Sequence, residues 1–514
     1  MKSKRLRLVG GCLLGLALVA TLAAYLVKAR GAHALASYRK KLIAAGEKLK
    51  IDELLPPTLP PAENAAAALH IASSSWRTGA GLLDTNSPPA MKMVAPGKAM
   101  VGWAQPYMYD ELVSNKWEEV QALVMTNQPG FDSLEQIVRL PHLDFQTDYR
   151  SAALGSITVA PLLEMRNAGR MSVFATLSDL HRGDMASASG HIRAILAMVS
   201  AASQERFPVS QLIRISITHS AAAATWEWLH APGLNDSQME LMEKAWRELE
   251  FLRPTEMALA MERVISEERF ELMRNSSATF RQEISAAGAT PPAGGSWYDR
   301  LSSLTLLKTK ESLWRAALSY PDQLRGLKGN QVLVDAVRLA AREGRFAGAM
   351  RQQDQQLIQL GINVRKENSE GWLTRVGDVD LGSLSESSVL ACARLLERVY
   401  KAEVARQIVI TAIALKRYEL RHGSMPASLN DLVPDFLDKT PRDPMDGEPL
   451  RYRLKEDGTY LLYSIGNDGR DDGGNPSSDQ NRTSFNWQFG RDLVWPQPAT
   501  PAEIDSFFEK KRKR

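Results

Sequence analysis

An acidic, glycine-rich stretch near the C-terminal end of the chain contains residue types that suit a hard cation. It reads "YSIGNDGRDDGG", residues 463–474, and places Asp468, Asp471 and Asp472 among four glycines. Calcium takes roughly six to eight oxygen ligands, and a glycine-rich loop turns its carbonyls inward at little conformational cost. Three interpretations are open: a calcium site, a solvated acidic turn built from common turn residues, or part of a catalytic centre.

The sequence lacks the standard signatures of metal and catalytic sites. Counted from Asp468, the acidic stretch has Arg470 at the third position of an EF-hand loop and Asp479 instead of glutamate at the twelfth. There is no H-E-x-x-H, no G-x-S-x-G, no P-loop and no G-x-G-x-x-G after a strand. His181 and His191 are predicted to lie at helix ends or on the surface rather than to bind zinc.

Two groups of side chains in helical segments could form sites, and both are predicted to be structural. In "MERVISEERFELM", Glu267 and Glu271 share a helical face and could act as paired acids, but Arg263 and Arg274 stand at helical spacing to neutralise them. A solvated charged face is therefore favoured. Four tryptophans are predicted to pack in the core rather than to form a ligand cage: Trp226, Trp228, Trp246 and Trp314.

The N-terminal residues predict a membrane anchor. Lys2, Lys4, Arg5 and Arg7 precede "LVGGCLLGLALVATLAAYLV", residues 8–27, an uncharged run as long as a bilayer-spanning helix. The positive charge before the run places the N-terminus in the cytoplasm. This predicts a single-pass protein of the inner membrane with an extracytoplasmic body.

A cleaved signal peptide is the alternative to an anchor. The A-x-A site near the expected place, Ala32-His33-Ala34, follows Lys28 and Arg30, and a cleavage region usually lacks such basic residues. The apolar run is also long for a signal peptide, so the uncleaved anchor is favoured.

Composition indicates ordinary globular chemistry. The chain has 514 residues, 44% of them hydrophobic and 24% charged, and a formal net charge of +4. Its length exceeds what one hydrophobic core supports and predicts at least two domains. The small, dispersed charge argues against nucleic-acid binding. Cys12 and Cys392 lie too far apart in the predicted topology to form a disulfide or a zinc site.

Hydrophobic periodicity predicts helical hairpins in the middle of the chain. Residues 161–182 and 185–202 indicate an antiparallel helix pair, with Gly183 ending the first helix and Asp184 capping the second. A capping box at Asn235 predicts a further helix start. Successive hairpins suggest, by analogy and without a clean repeat period, a helical array of the tetratricopeptide-like kind.

The pattern changes near the C-terminal end. Residues 385–422 indicate one long helix that Gly423 is placed to end. Two short aromatic-rich runs, 450–454 and 459–464, then predict an antiparallel hairpin, and the acidic stretch follows its second strand directly.

The predicted fold class is mainly α, with a transmembrane helix, an α-helical hairpin array and an α+β C-terminal domain in which a long helix packs on a small antiparallel sheet. The predicted segments begin with a basic cytoplasmic end (1–7), the anchor (8–27) and a helical stem with a proline-rich irregular region (28–149). A hairpin domain (150–285), a linker (286–297), a second helical region (298–366) and a second linker (367–384) follow. The α+β domain (385–495) and a basic tail (496–514) complete the chain.

The C-terminal domain resembles a known family. This part of the chain is similar to the C-terminal domain of type II secretion system protein G, the major pseudopilin. The matching residues occur in the family's order: Tyr418 and Gly423 at the helix end, Pro-x-Ser-Leu at 426–429, Asp443-Pro444 with Gly447, Tyr452 in the first strand, and Ser464-x-Gly466-x-Asp468-Gly469.

The resemblance implies a structural calcium ion that ties down the loop after the last hairpin. Asp468 stands at the matching ligand position. The later candidates are Asp471, Asp472 and Asp479, whose spacing departs from the acidic pair of the family.

The N-terminus lacks the features of the family. A pseudopilin has phenylalanine after the glycine of its leader, whereas here Cys12 follows Gly11, and residues 28–384 separate the apolar run from the domain. We therefore expect a noncatalytic, membrane-anchored extracytoplasmic protein that carries this domain at the end of a helical arm and binds an envelope protein partner in secretion or assembly. The alternatives are an envelope hydrolase with an unrecognised site and an aberrant pseudopilus component.

Overall fold

The fold is mainly helical, with small β-sheets and a long apolar helix at the N-terminus, which confirms the coarse class expected from the sequence. The computed structural model describes residues 2–58, 60–76, 91–95, 97–103, 117–140, 142–153, 159–286, 305, 307–364, 384–477 and 490–513.

The described helices are α1 (Lys2–Ala44), α2 (Ala66–Ser75), α3 (Trp117–Thr126), α4 (Gln128–Glu135), α5 (Tyr149–Ala153), α6 (Ala160–Arg182), α7 (Met185–Ala201), α8 (Pro208–Leu229), α9 (Asp236–Arg247), α10 (Leu252–Asn275), α11 (Ser277–Ala286), α12 (307–313), α13 (Ser319–Glu343), α14 (Ala347–Gln359), α15 (Leu384–Ala393), α16 (Leu395–His422) and α17 (Pro501–Arg512). The described strands are β1 (Met91–Ala95), β2 (Lys98–Val101), β3 (Arg451–Leu454), β4 (Tyr460–Ser464), β5 (Leu493–Val494) and β6 (Gln497–Pro498). A π-helical turn, Trp314–Leu318, joins α12 to α13.

The helix pair predicted around Gly183 is present as α6 and α7. Gly183 adopts a left-handed φ of 76° that ends α6, and the Asp184 side chain accepts a hydrogen bond from the Ser187 amide at the start of α7. At the start of α9, the Asn235 side chain likewise accepts from the Gln238 amide. Short-range cap chemistry therefore locates these helix ends correctly.

The single helix predicted over residues 385–422 is wrong in one respect. It is two helices, α15 and α16, separated at Arg394, whose ψ of 0° departs from helical geometry. α15 packs mainly on α13, whereas α16 packs mainly on α8 and α9, so the two halves have different principal partners. Gly423 ends α16 in a left-handed conformation, as predicted.

Two three-stranded sheets lie in the described part of the chain. The sheet β3-β4-β5 contains the predicted antiparallel hairpin, with Arg451 opposite Tyr463. The sheet β1-β2-β6 was not predicted, because residues 91–101 lie in the segment expected to be irregular. In it β6 pairs in parallel with β2, and α17 follows. The segment expected as a basic tail thus begins by closing a sheet near the N-terminal part.

One contiguous cluster of buried side chains extends from Ile51 to Trp495. The C-terminal unit shares this cluster through α16, so it lies against the helical body rather than at the end of an arm. A smaller cluster lies between α10, α11 and the π-helical turn, and another lies between α1 and α13. The four tryptophans assigned to the interior are fully buried: Trp226, Trp228, Trp246 and Trp314.

Candidate functional site

The acidic stretch leaves β4 beside a buried aspartate, Asp443, which precedes β3. Its carboxylate accepts hydrogen bonds from the Met445 and Ile465 amides, both at 2.9 Å, and from Ser464 Oγ at 2.7 Å. Burial raises the pKa of the Asp443 carboxyl, although these hydrogen bonds oppose the rise. Asp443 thus fastens the chain before β3 to the chain at the end of β4.

The guanidinium of Arg451, on β3, lies among three carboxylates. It contacts Asp443 Oδ2 at 3.0 Å, Asp446 Oδ2 at 2.6 Å and Asp471 Oδ2 at 3.4 Å. The hydrogen bond with Asp446 is the largest of the effects that raise the pKa of Arg451. A guanidinium carries five N–H donors in a fixed fork, so it can satisfy several carboxylates at once. We call Asp443, Asp446, Arg451 and Asp471 the Arg451 centre.

A second buried aspartate, Asp492, holds the C-terminal end of the acidic stretch. Its carboxylate accepts from the backbone amides of Asp472, Gly474 and Asn475 at 3.4, 2.8 and 2.9 Å. The backbone therefore turns N–H groups toward a carboxylate at this point, as in an anion-binding nest. A loop that wraps a cation presents carbonyl oxygens instead.

Three of the four predicted calcium ligands are described, and all three are exposed. The Asp468 side chain is exposed and accepts from the Arg470 amide at 3.0 Å, within its own turn. The Asp472 side chain is also exposed. Asp479 lies outside the described residues.

The remaining candidate, Asp471, already has a cationic partner. Besides its contact with Arg451, its carboxylate accepts from the Tyr463 hydroxyl at 2.9 Å. Within the described ranges, no three His, Cys, Asp or Glu side chains form a group that could hold a metal ion. In the Arg451 centre the guanidinium occupies the space between the carboxylates. Calcium binding by the acidic stretch stays a prediction.

Sequence reasoning missed most of the residues that organise this loop. Asp443 and Asp446 stand shortly before the strand that carries Arg451, in "DPMDGEPLR", and this clustering of acids before a strand arginine was an available signal. Asp492 had no such signal, because only the folded chain brings it beside residues 472–475.

A second polar centre joins the end of α1 to α10 and α13. Glu47 accepts from Arg263 at 2.9 Å, from Gln331 at 3.1 Å and from Arg338. Burial alone would raise the pKa of Glu47, but hydrogen bonds from Arg338 and Arg263 lower it to about 2. Arg263 is fully buried, and this carboxylate compensates its charge. We call Glu47, Arg263, Gln331 and Arg338 the Glu47 centre.

The acidic face of α10 is solvated at Glu271 but not at Glu267, which corrects the interpretation of "MERVISEERFELM". Glu267 is only 7% exposed and pairs with Arg39 of α1 at 2.7 Å. Arg39 also contacts Glu271, at 2.9 Å. Of the two arginines expected to neutralise this face, Arg274 lies 4.0 Å from Glu271, whereas Arg263 belongs to the Glu47 centre. The face binds α1, a segment so distant in sequence that local spacing cannot reveal the pairing.

Other titratable groups are buried in the helical body, among them His191 and Glu205. His191, expected near the surface, lies 3.2 Å from Asp179 in the interior and joins α7 to α6. Glu205 accepts from the hydroxyls of Tyr149 at 3.3 Å and Thr147 at 3.4 Å, and burial raises the pKa of Glu205 to about 7. Each group connects segments that are separate in the chain.

Comparison of the chain with protein-family models, with curated proteins and with solved structures found no match in any of the three.

Proposed function

We propose that the protein is a noncatalytic, single-pass membrane protein with a cytoplasmic N-terminus and an extracytoplasmic body that binds another envelope protein. The observation that carries this proposal is the unbroken helix α1, which runs from the apolar N-terminal residues into the folded body. The pseudopilin-like C-terminal unit is, on this proposal, an interaction module in envelope secretion or assembly.

The first half of α1 has the surface of a membrane-spanning helix. α1 contains a segment long and apolar enough to cross a membrane. Its described apolar side chains project from the body, with Leu14, Leu18 and Val19 exposed by 68%, 65% and 67%. Apolar side chains on all sides of one helix favour a lipid environment. Lys28 and Arg30 follow, which places the edge of the hydrocarbon near this point.

The second half of α1 is built into the body. Leu35 and Leu42 are buried with Leu327 of α13. A Cβ atom added to Gly31 would lie 2.5 Å from Cδ of Pro321, so the two helices touch there. These contacts, the α10 ion pairs and the Glu47 centre together prevent α1 from turning independently. An anchor of this kind fixes the position of the body relative to the membrane, which suits a scaffold.

The buried titratable groups support a structural role. Burial raises the pKa of Glu205, Glu227 and Asp443, and in enzymes such shifts often accompany acid–base chemistry. Here the carboxylates accept hydrogen bonds that hold separate segments together. Glu227, for example, accepts from the Gly102 amide at 2.6 Å and so joins α8 to the end of β2.

The strand β3 is the surface on which we expect the partner. It lies at the edge of its sheet, where β4 is its one neighbour among the described strands, and its last residues, Arg453 and Leu454, are exposed. An edge strand presents backbone N–H and C=O groups to which a second chain can pair.

Membrane fractionation tests the anchor. The full chain should remain in the membrane pellet after alkaline carbonate extraction, and protease added outside spheroplasts should digest its body. A chain that begins at Lys28 should be soluble. Release of the full chain by carbonate, or a mature product that begins after Ala34, would instead support a cleaved signal peptide.

Photo-cross-linking in cells tests the partner surface. A photoreactive residue in place of Arg453 should give a discrete adduct with an envelope protein. The same residue in place of Leu241, which is 52% exposed on α9, should not. Identical adducts from both positions would exclude β3 as the interaction surface.

A further inference from the structure

α1 and α13 lie side by side and run in the same direction. Gly31 touches Pro321, and the ammonium of Lys328 lies 5.6 Å from the ring of Tyr38. The residue numbers of the contacts increase along both helices, from 31 to 38 in α1 and from 321 to 328 in α13, so the two helices are parallel. The residues that precede Pro321 therefore lie on the side of the body from which α1 projects.

The rise of the helix gives the distance of this side from the lipid. At about 1.5 Å per residue, Gly31 lies about 6 Å beyond residue 27, the last residue of the apolar run. The headgroup layer on each side of a bilayer is roughly 5 to 8 Å thick. Because Pro321 touches Gly31, α13 begins at the level of the headgroups when residues 8–27 span the hydrocarbon.

The chain at this end of the body forms a small core of its own. Its buried residues come from α10, α11 and the π-helical turn: Phe270, Met273, Phe280, Ile284 and Trp314. Leu307 of α12 packs against them. Trp314 Nε1 donates to Asp322 Oδ2 at 3.0 Å, which fastens the π-helical turn to α13. We call residues 270–286 and 307–318 the foot.

The outer surface of the foot combines an apolar side chain with basic residues. Leu313 is 51% exposed, so its apolar side chain is available to the interface of a bilayer. Lys308 and Arg281 are also exposed. The acidic residue of α12, Glu311, is buried and pairs with Arg315 at 3.0 Å. The exposed charge of α12 is therefore positive, which complements anionic lipid.

We infer that the foot enters the headgroup layer and the interface of the same membrane that α1 crosses, with Leu313 toward the acyl chains and the charged ends of Lys308 and Arg281 at anionic headgroups. This inference rests on the proposed anchor. A second lipid contact beside a single spanning helix limits the tilt of the body, so the anchor and the foot together set its orientation.

Site-specific fluorescence of the full chain in lipid nanodiscs tests the foot. An environment-sensitive fluorophore is attached through Leu313→Cys in a Cys12→Ser background, in which the remaining Cys392 is buried. Lipids that carry a quencher at the headgroup are then added to the bilayer. We expect the label at position 313 to emit at shorter wavelength than in water and to lose most of its fluorescence to the quencher.

Two matched positions make the result decisive. Leu241 is a matched control, because its exposure of 52% is close to the 51% of Leu313. It also lies far from the foot: its helix, α9, leads into the start of α10, which contacts Arg338, and Arg338 is distant from Pro321 along α13. A label at Leu241→Cys should be neither shifted nor quenched. A label at Leu18→Cys, in the proposed span, should report an apolar environment.

The outcomes separate the two proposals. An apolar environment at position 18 without quenching at position 313 would overturn the foot and leave the anchor intact. An aqueous environment at position 18 would overturn the anchor itself. Quenching at position 313 that falls in zwitterionic lipid, or with Lys308→Glu, would support the anionic headgroup contact; quenching indifferent to both changes would contradict that contact.

Discussion

The Glu47 centre and the Arg451 centre both pair guanidiniums with carboxylates, but the paired residues are far apart in the sequence in the first and close together in the second. In the first, one carboxylate lies between guanidiniums 216 and 291 positions away in the chain. In the second, one guanidinium lies among carboxylates 8, 5 and 20 positions away. The long-range centre fastens the proposed anchor to the body, whereas the short-range centre shapes one loop. Sequence separation thus determines what each centre holds together.

The largest effect is expected from Glu47→Gln. The substitution removes the negative charge beside the fully buried Arg263, and an uncompensated buried charge costs on the order of 3 to 5 kcal/mol. Denaturant unfolding of the full chain in detergent measures the loss. Glu419→Gln is the matched control, because Glu419 pairs with Lys416 at 2.7 Å on the surface and exposed pairs contribute about 1 kcal/mol or less. Equal losses in both variants would contradict the importance of the Glu47 centre.

Glu205, a buried carboxylate with hydroxyl and amide partners, should change stability with pH in the opposite direction to Glu47, because its pKa is raised and that of Glu47 is lowered. Burial raises the pKa of Glu205 to about 7 from an ordinary value near 4.5, so the folded state holds a proton that the unfolded state releases. The stability contributed by this group is full below pH 4.5 and falls by about 3 kcal/mol as pH rises to about 7. Glu205→Gln should remove this loss and so flatten the stability curve between these pH values. An unchanged difference between variant and parent across this range would refute the raised pKa.

The Arg451 centre should tolerate disruption better than the Glu47 centre. Arg451→Gln leaves Asp443 with its two amide donors and the Ser464 hydroxyl, so we expect a loss of about 2 kcal/mol in thermal or denaturant unfolding. Three carboxylates without a guanidinium should then favour a divalent cation, and calcium should restore part of the lost stability.

Calcium and chelator, applied to the parent protein, complete this experiment. Asp468→Ala is the control, because Asp468 lies outside the Arg451 centre. A calcium-dependent rise in Tm of the parent that Asp468→Ala abolishes would support the site implied by the pseudopilin resemblance. If calcium raises the Tm of Arg451→Gln no more than it raises the Tm of the parent, a cation does not replace the guanidinium.

The smallest effect is expected at a helix end that uses no ion pair. Gly183→Ala introduces a side chain at a φ of 76°, where a Cβ would meet no atom within 4 Å, so the cost is backbone strain alone. About 1 to 2 kcal/mol is expected, measured by unfolding of the full chain. A neutral result would mean that the turn between α6 and α7 relaxes locally.

Local sequence patterns predicted the helix ends of this chain but not its long-range contacts. Gly183, Asp184 and Asn235 act within a few residues of themselves, and their roles were predicted correctly from local chemistry. The acidic face around Glu267 was misinterpreted, because its partner Arg39 lies 228 positions away. The break at Arg394 was missed for a related reason, since local helix periodicity contains no information about which elements α15 and α16 contact.

The central claim, that α1 is one rigid connection from the membrane into the body, is tested most directly by distances between spin labels in the full chain in nanodiscs. The labels are placed at Val27→Cys, 42% exposed in α1, and at Leu241→Cys, 52% exposed in α9, in the Cys12→Ser background. We predict one narrow distance distribution that broadens when Glu47→Gln is added. A broad distribution before that change would contradict the account, because the anchor would then move independently of the body.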